Sequence, residues 1–481
     1  MATETTAVNQ DHRRWLALYV LCAGVLMDVL DATIVNVALP SIKRDLGFSE
    51  SDLAWVLNGY LIAFGGLLLL AGRVGDLVGH RRVFLAGIAV FTGASALCAA
   101  APSQGVLIAA RFIQGAGGAM TSAVILGMIV TMFPEPREQA KAIGVYGFVA
   151  SAGGSIGLLA GGVLTQAISW HWIFLINVPV GIATALFALR LIDAHEGIGL
   201  RHGTDIPGAA MLTGGLMLGV YTILQVGAQG WTSARTLALS ALSLALLVAF
   251  VARQKRIANP IMPLRVFRSR EISGANAVQA LLVVGMFGIF FLGALYLQQV
   301  LGYDALEVGL AFLPATVAMG ATSLRFSEPL TMRFGPLATL LPGLVAIGAA
   351  LLLFAQAPVD ATYAVDLLPP MVLLGLGAGL AFPALTTVAM SGATPSDTGL
   401  ASGLVQTSVN VGGAIGLAVL ATFSTERAHG LLADGASTAA ALNGGYHVAY
   451  LIGAVLVAVA IAVALTVLRP APAATPCAEA A

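Results

Sequence analysis

Apolar runs of about 17 to 25 residues recur along the whole 481-residue chain, and each is long enough to cross a hydrocarbon core of roughly 30 Å as a helix. No other feature narrows the fold as far. With 58% of residues hydrophobic, 10% charged and a mean hydropathy of +0.92, the chain reads as an all-α polytopic membrane protein and not a soluble globule. Hydropathy set against Pro, Gly and charge places fourteen spans, at about 16–39, 52–71, 83–101, 105–132, 142–164, 170–190, 207–226, 235–252, 273–298, 306–324, 336–355, 364–390, 398–422 and 446–468. The first run is too long for a signal-peptide core and no small-residue cleavage site follows it, so it is expected to remain as the first span. Cys22 and Cys98 lie in apolar runs and Cys477 in an Ala/Pro-rich tail, a pattern that predicts no disulfide.

An even number of spans puts both termini on one side, and basic residues decide which. With the N-terminus inside, 18 of the 23 Lys and Arg fall in inside segments, 4 in outside loops, and Arg111 within a helix. That asymmetry predicts a multi-pass protein of the cell membrane with both ends cytoplasmic. It also supports the span count, since one missed helix would scramble the alternation.

The segment RQKRIANPIMPLRVFRSR, Arg253 to Arg270, mixes charge with Pro as an inter-domain linker does. Internal repetition then suggests the architecture. GGSIGL at Gly153 to Leu158 returns as GGAIGL at Gly412 to Leu417, an offset of 259. GRVGDLVGHRRVFLAG has a decayed counterpart in PLTMRFGPLATLLPG, with Gly79 matching Gly335 and Gly87 matching Gly343 at an offset of 256. Two nearly equal offsets imply a duplicated unit of six helices: residues 1–190 as one bundle, 271–481 as the other with a short tail, and 191–270 as two added helices and a linker.

Four segments carry a family resemblance: LDATIVNVALP (Leu30 to Pro40), GRVGDLVGHRR (Gly72 to Arg82), RFIQGAGGA (Arg111 to Ala119) and WHWIFLINVPVG (Trp170 to Gly181). They resemble signature segments of the major facilitator superfamily. LDATIVNVALP together with fourteen spans resembles the drug:proton antiporters of the EmrB/QacA type. The resemblance implies two pseudo-symmetric six-helix bundles around a central cavity, alternating access, and export driven by inward proton flow. It makes Gly72, Arg73, Gly75, Asp76, Gly79, Arg81 and Arg82 a conformational latch that stabilises the outward-facing state. For Arg81 and Arg82 the plainer reading, topology determinants, is favoured. Gly153, Gly157, Gly161 and Gly162 fall in an antiporter motif, where the family has Pro at the position of Leu158. Spacing alone puts Gly153, Gly157 and Gly161 on one helix face, permitting close approach of a neighbour.

Asp28 and Asp31 interrupt the first apolar run. A charged Asp at mid-membrane costs roughly 2.5 to 3.5 kcal/mol on insertion scales, so something must offset or neutralise it. Spaced three apart, the two acids sit on one helix face, where like charge and desolvation both favour a bound proton. Asp31 lies roughly 12 Å below the outer end of its helix and Arg111 roughly 9 Å below the outer end of the fourth. Matching depths predict a pair that a proton can open. Asp28 keeps three readings: a second proton site, a ligand for cationic cargo, or a neutral buried acid.

The second half shows no such mid-membrane charge. Its polar groups include Gln279, Gln298, Gln406, Ser408 and Asn410, with Phe287, Phe290, Phe291 and Tyr296 along one helix. Asp28 with Phe287, Phe290, Phe291, Tyr296, Gln406 and Asn410 is the candidate substrate cavity, an adaptable apolar wall suited to a lipophilic substrate. A polyol carrier would need a denser polar lining.

No GxxxxGK[ST] is present, and Gly375 to Gly379 sits in an apolar run; seven scattered His form no HExxH. The chain is therefore expected to be no enzyme, to hold no metal or cofactor beyond the coupling proton, and to work as a monomer in the bilayer without nucleic acid. The runner-up is a dedicated exporter of one endogenous metabolite or self-made antibiotic; a channel is disfavoured by the duplication.

Overall fold

The computed structural model describes residues 2–48, 50–194, 197–199, 205–257, 260, 262–303, 305–394 and 397–468, and none of these lies in a strand. In chain order the helices are α1 (Ala2–Leu46), α2 (Glu50–Val78), α3 (His80–Ala99), α4 (Gln104–Met132), α5 (Pro136–Ala167), α6 (His171–Leu175), α7 (Asn177–Leu191), α8 (Ile206–Gln229), α9 (Ala234–Gln254), α10 (Arg270–Gln299), α11 (Ala305–Arg325), α12 (Ser327–Phe334), α13 (Pro336–Phe354), α14 (Leu368–Ser391), α15 (Thr398–Ala433) and α16 (Thr438–Val467). Taking α6 with α7 and α11 with α12 leaves fourteen helical segments. Thirteen of them are long and apolar enough to cross a membrane among the described residues, and the 32-residue α5 is the other.

Boundaries differ from expectation where local chemistry competes with hydropathy. The first helix runs past Pro40 to Leu46, carrying Ile42 into a small core with Val35, Ala38 and Phe48. The sixth span divides at Ile176–Asn177, just before Pro179, which lacks the N–H that would continue the ladder. The thirteenth reaches Ala433 rather than 422, since the stretch from Phe423 to Ala433 is too polar to count as an apolar run but holds no Pro to end a helix.

Helix starts are written in the sequence. Asp205, Ser233, Ser269 and Ser437 each accept the amide three residues on, opening α8, α9, α10 and α16. Gly79 between α2 and α3 takes φ 102°, ψ 129°, and Gly335 between α12 and α13 takes φ 86°, ψ 160°. Only glycine adopts that conformation readily, and these are the two glycines matched at the 256-residue offset. Gly87 then backs onto Gly117 of α4 as Gly343 backs onto Gly377 of α14. The repeat is thus visible as geometry at corresponding points.

In one half α1 packs on α5 and α7, and α4 on α2 and α3; in the other, α10 packs on α15 and α16, and α14 on α11 and α13. The halves meet through α2 and α4 against α15, and α5 against α11. The added pair sits outside that seam. Met217 and Val220 of α8 fill the spaces at Gly66 and Gly65 of α2, Tyr221 stacks on Trp55 at 5.7 Å, and Trp231 donates to Thr422 of α15 at 2.8 Å. Leu237, Leu244 and Val248 of α9 are exposed, as on a helix turned to lipid.

Candidate functional site

The two acids of α1 occupy separate polar sites in one half. Asp31 and Arg111 are both completely buried, and the Arg111 Nη1 donates to Asp31 Oδ2. The same nitrogen donates to Gln114 Oε1 at 2.7 Å, and Nε donates to the Val56 carbonyl at 2.9 Å. Gln114 Nε2 donates to Asp31 Oδ1 at 2.7 Å and to Ser95 Oγ at 2.8 Å, and Asn177 Nδ2 reaches the same Asp31 oxygen at 3.4 Å. The guanidinium lies 4.5 Å from the Tyr60 ring centre and 5.6 Å from that of Phe174, a cation–π setting that further offsets its burial. Six helices, α1, α2, α3, α4, α6 and α7, contribute to this one ion pair.

Sequence reading missed Gln114, Ser95, Asn177, Tyr60 and Phe174. Gln114 was within reach, since it lies three residues after Arg111 in RFIQGAGGA and so on the same face. Phe174 and Asn177 both fall in WHWIFLINVPVG. Ser95 and Tyr60 carry no local signal; only packing brings them in.

Asp28 is buried one turn away and accepts from the Ser122 hydroxyl. A side chain at Gly118 would stand 3.2 Å from Asp28 Oδ1 and 3.1 Å from the Tyr60 hydroxyl, so that glycine opens the space between α4 and both groups. Tyr60 therefore borders both acids, its ring toward Arg111 and its hydroxyl toward Asp28.

Gly72, Arg73, Gly75 and Asp76, expected in a loop, lie in the last two turns of α2, which runs to Val78, and they form a second centre at the end where α2 finishes and α15 begins. Asp76 is buried, and its carboxylate accepts the Gly399 amide at 2.7 Å and the Leu400 amide at 2.9 Å. It thereby caps the N-terminus of α15 in the opposite half, where free amides and the helix dipole favour an anion. His80 Nε2 lies 3.0 Å from Asp76 Oδ1. Arg73 lies 3.9 Å from Asp76 and 3.8 Å from Asp397, and Asp397 is paired with Arg265 at 2.9 Å. A Cβ on Gly72 would run into the Gly399 carbonyl, and one on Gly75 into Val124 and His80, so both glycines are required by close approach. Arg81 and Arg82 take no part in the Asp76 cluster: they donate to the carbonyls of Leu189 and Val78.

The glycine stripe of α5 serves packing against α1. Gly153 faces Val29, Gly157 faces Thr33 and the Leu30 carbonyl, and Gly161 faces Ile34. The surroundings of Gly162 and the side chain of Leu158 lie outside the described residues.

The candidate cavity residues divide. Phe287, Phe290 and Phe291 are about two-fifths exposed, with Phe290 stacked on Phe312 at 5.3 Å. Tyr296 is fully buried, donates to the Pro358 carbonyl at 2.6 Å and meets Tyr446 edge-on; it anchors a helix end rather than lining open space. Tyr146 of α5 donates to Gln406 Oε1 of α15 at 3.4 Å, joining the halves, and Asn410 donates to the Gln406 carbonyl at 2.9 Å. Ser323 to the Gly144 carbonyl at 2.9 Å, and Arg137 to Glu328 at 2.8 Å, join the halves at the same end as Asp76. That end is shut.

The profile of the Major Facilitator Superfamily matches residues 21–417. A puromycin resistance protein of Streptomyces alboniger is 39% identical over 93% of this chain and 90% of its own length. A cephamycin export protein of Amycolatopsis lactamdurans is 37% identical over 91% and 90%, and a tetracenomycin C resistance and export protein of Streptomyces glaucescens 34% identical over 89% and 79%. Among solved structures, the human organic anion transporter MFSD10 superposes with a TM-score of 0.66 at 16% identity, covering 92% of this chain and 99% of that one. A proton:xylose symporter superposes with a TM-score of 0.61 at 14% identity, covering 93% and 95%. With that profile matched across both halves and with export and resistance proteins among relatives that cover nearly all of it, the chain belongs to the Major Facilitator Superfamily and is a transporter, not an enzyme.

Proposed function

We propose that the protein is a proton-coupled exporter of lipophilic antibiotics or drugs that works by alternating access. The observation that carries the proton coupling is the Asp31–Arg111 pair, wholly buried in the half whose α2, at its last turns, closes the gate. An ionised carboxylate at that depth persists only with such a partner. A proton arriving from outside neutralises Asp31, removes the attraction holding Arg111, and lets α1 and α4 rearrange. Release of that proton to the cytoplasm restores the pair. Coupling follows because the two arrangements bind the proton with different affinity.

The basic-residue asymmetry places the shut end in the cytoplasm, with both termini on that side of the cell membrane. The described conformation then faces outward, with Asp76 on α15 as the latch. The two six-helix halves at 1–190 and 271–481 move against each other, and residues 191–270 join them. Asp28, with Ser122 and Tyr60 beside it, holds a second proton or receives the positive group of a cationic substrate. Phe287, Phe290 and Phe291, together with Gln406 and Asn410, supply the opposing wall. The protein acts as a monomer, with the proton as its coupling ion and no cofactor.

Relatives named for puromycin, cephamycin and tetracenomycin C support an antibiotic as cargo. Each of those names specifies one compound, which favours as a second reading a dedicated exporter of a single self-made antibiotic. Everted vesicles with an imposed pH gradient, challenged with an antibiotic panel, test both. Uptake of several unrelated compounds, abolished by a protonophore, is expected; uptake of one compound alone selects the second reading, and uptake indifferent to the gradient rejects proton coupling.

A further inference from the structure

We infer that α8, α9 and the segment that follows them brace the cytoplasmic gate shut, which gives the added helix pair a part in the transport cycle. The brace begins at Asp205, whose carboxylate opens α8 and is the hub of the pair's cytoplasmic end. It accepts from the Gly208 amide at 3.0 Å, from Arg253 Nε at 2.8 and 3.1 Å, and from Gln254 Nε2 at 2.9 Å. Gln254 in turn accepts the Met262 amide at 3.2 Å. That bond ties Met262 to the cytoplasmic end of α9.

Two independent contacts then reach the gate itself. Met262 and Val266 are buried in one apolar cluster with Leu212 of α8, Phe250 of α9, Leu69 of α2 and Leu400 of α15. Arg265 pairs with Asp397, the residue that precedes α15. Leu400 is the residue whose amide Asp76 accepts, so the same turn of α15 is held from the α2 side by hydrogen bonds and from the added pair by apolar burial. Because Leu69 and Leu400 belong to opposite halves, separating the halves at this end opens the cluster and exposes its apolar surface to water. The brace rests on the proposed function only in taking Asp76 and α15 as the gate. Proton coupling does not enter it.

The test uses the full-length protein in lipid nanodiscs. Cys22, Cys98 and Cys477 are replaced by Ala, and spin labels are placed at Glu135 before α5 and Arg333 at the end of α12, both exposed and on opposite halves. Pulsed electron–electron resonance then reads the distance between the two ends. Met262→Ala should raise the ratio of gate-open to gate-closed molecules about tenfold, as expected for a truncated buried side chain. Arg265→Gln, at a side chain 62% exposed, should raise it about two- to fivefold, and Arg265→Lys should return most of that shift. Asp76→Asn serves as the reference for an unlatched gate. If Asp76→Asn opens the gate while Met262→Ala and Arg265→Gln leave the distances at wild type, the brace is wrong and the gate stands. If none of the three shifts the distances, the gate has been misplaced and the brace falls with it. Arg265→Gln guards against misfolding, since an exposed side chain leaves the core intact.

Discussion

Replacing Asp31 with Asn removes one unit of charge from a site that Arg111 cannot leave without moving. The guanidinium is fully buried, so its loss of counter-charge follows the rule for breaking a buried pair from one side, about 3 to 5 kcal/mol. Two features of the site reduce that figure. Gln114 and the Val56 carbonyl go on accepting from Arg111, and Tyr60 and Phe174 present their faces to it, each contact worth about 0.5 to 2 kcal/mol. The lower end, about 3 kcal/mol, is therefore the expected destabilisation of the described conformation, which corresponds to roughly a hundredfold shift toward any arrangement that hydrates Arg111. Removing the second charge as well, in Asp31→Asn with Arg111→Gln, should recover most of the lost stability because no unpaired charge remains. It should not recover transport, because no proton site remains either. The assays are thermal unfolding in detergent, and substrate-induced proton release measured on the same preparations. Undiminished proton release by Asp31→Asn would assign the carrier elsewhere, with Asp28 next in line, and a double variant no more stable than Asp31→Asn would refute the charge-burial account.

Gly72→Val should abolish export while leaving expression intact, because its side chain meets backbone of Gly399 and holds the gate apart; normal vesicle transport would show that α2 and α15 never approach so closely in function. Asp28→Asn is expected to spare export of neutral compounds and weaken that of cations by about tenfold in apparent affinity, read from concentration curves for one substrate of each kind, and equal losses for both would remove its charge-selecting role. The pH dependence of the Asp205 hub has a definite sign. Burial opposes its ionisation, but the Gly208 amide, Arg253 and Gln254 outweigh that and hold the carboxyl below the usual carboxylate range, so its stabilisation is complete above that range and is lost as pH falls through the lowered value. Asp205→Asn should accordingly melt below wild type at pH 7, with the gap closing below about pH 4; a gap constant across that window would exclude the charge as its source. A cysteine placed at Arg256 should be blocked by membrane-permeant reagents alone in intact cells, and labelling by an impermeant reagent would invert the topology.

How much of this was legible in the chain follows from the range over which each kind of information acts. Hydrophobic length is local, and a bilayer accepts backbone only when its hydrogen bonds are closed within the segment, so the helical fold and the membrane class followed from apolar runs alone. The duplication was legible for a similar reason: Gly79 and Gly335 must be glycine because their backbone takes positive φ, a demand that persists after the sequence around them has diverged. The Asp31–Arg111 pairing was readable because two helices of known direction fix depth, and depth is one coordinate of position. The other two coordinates are set by packing. No local pattern says that Ser95 meets Gln114 while Asn177 turns toward the Asp31 carboxylate, that Tyr296 faces a carbonyl near a helix end, or that Arg81 and Arg82 bond elsewhere while Asp76 crosses to α15. The loop motif marks Asp76 as unusual, but its partners are backbone amides of Gly399 and Leu400, and backbone amides have no signature in sequence. Nor does the spacing of 191–270 reveal that Met262 and Val266 end against Leu400, since that contact needs two halves and an added helix pair already folded around one seam. Apolar length and helix direction set what could enter the membrane and how deep each charge sits; packing selected which groups at equal depth meet, because only the assembled bundle brings distant helices to the same point.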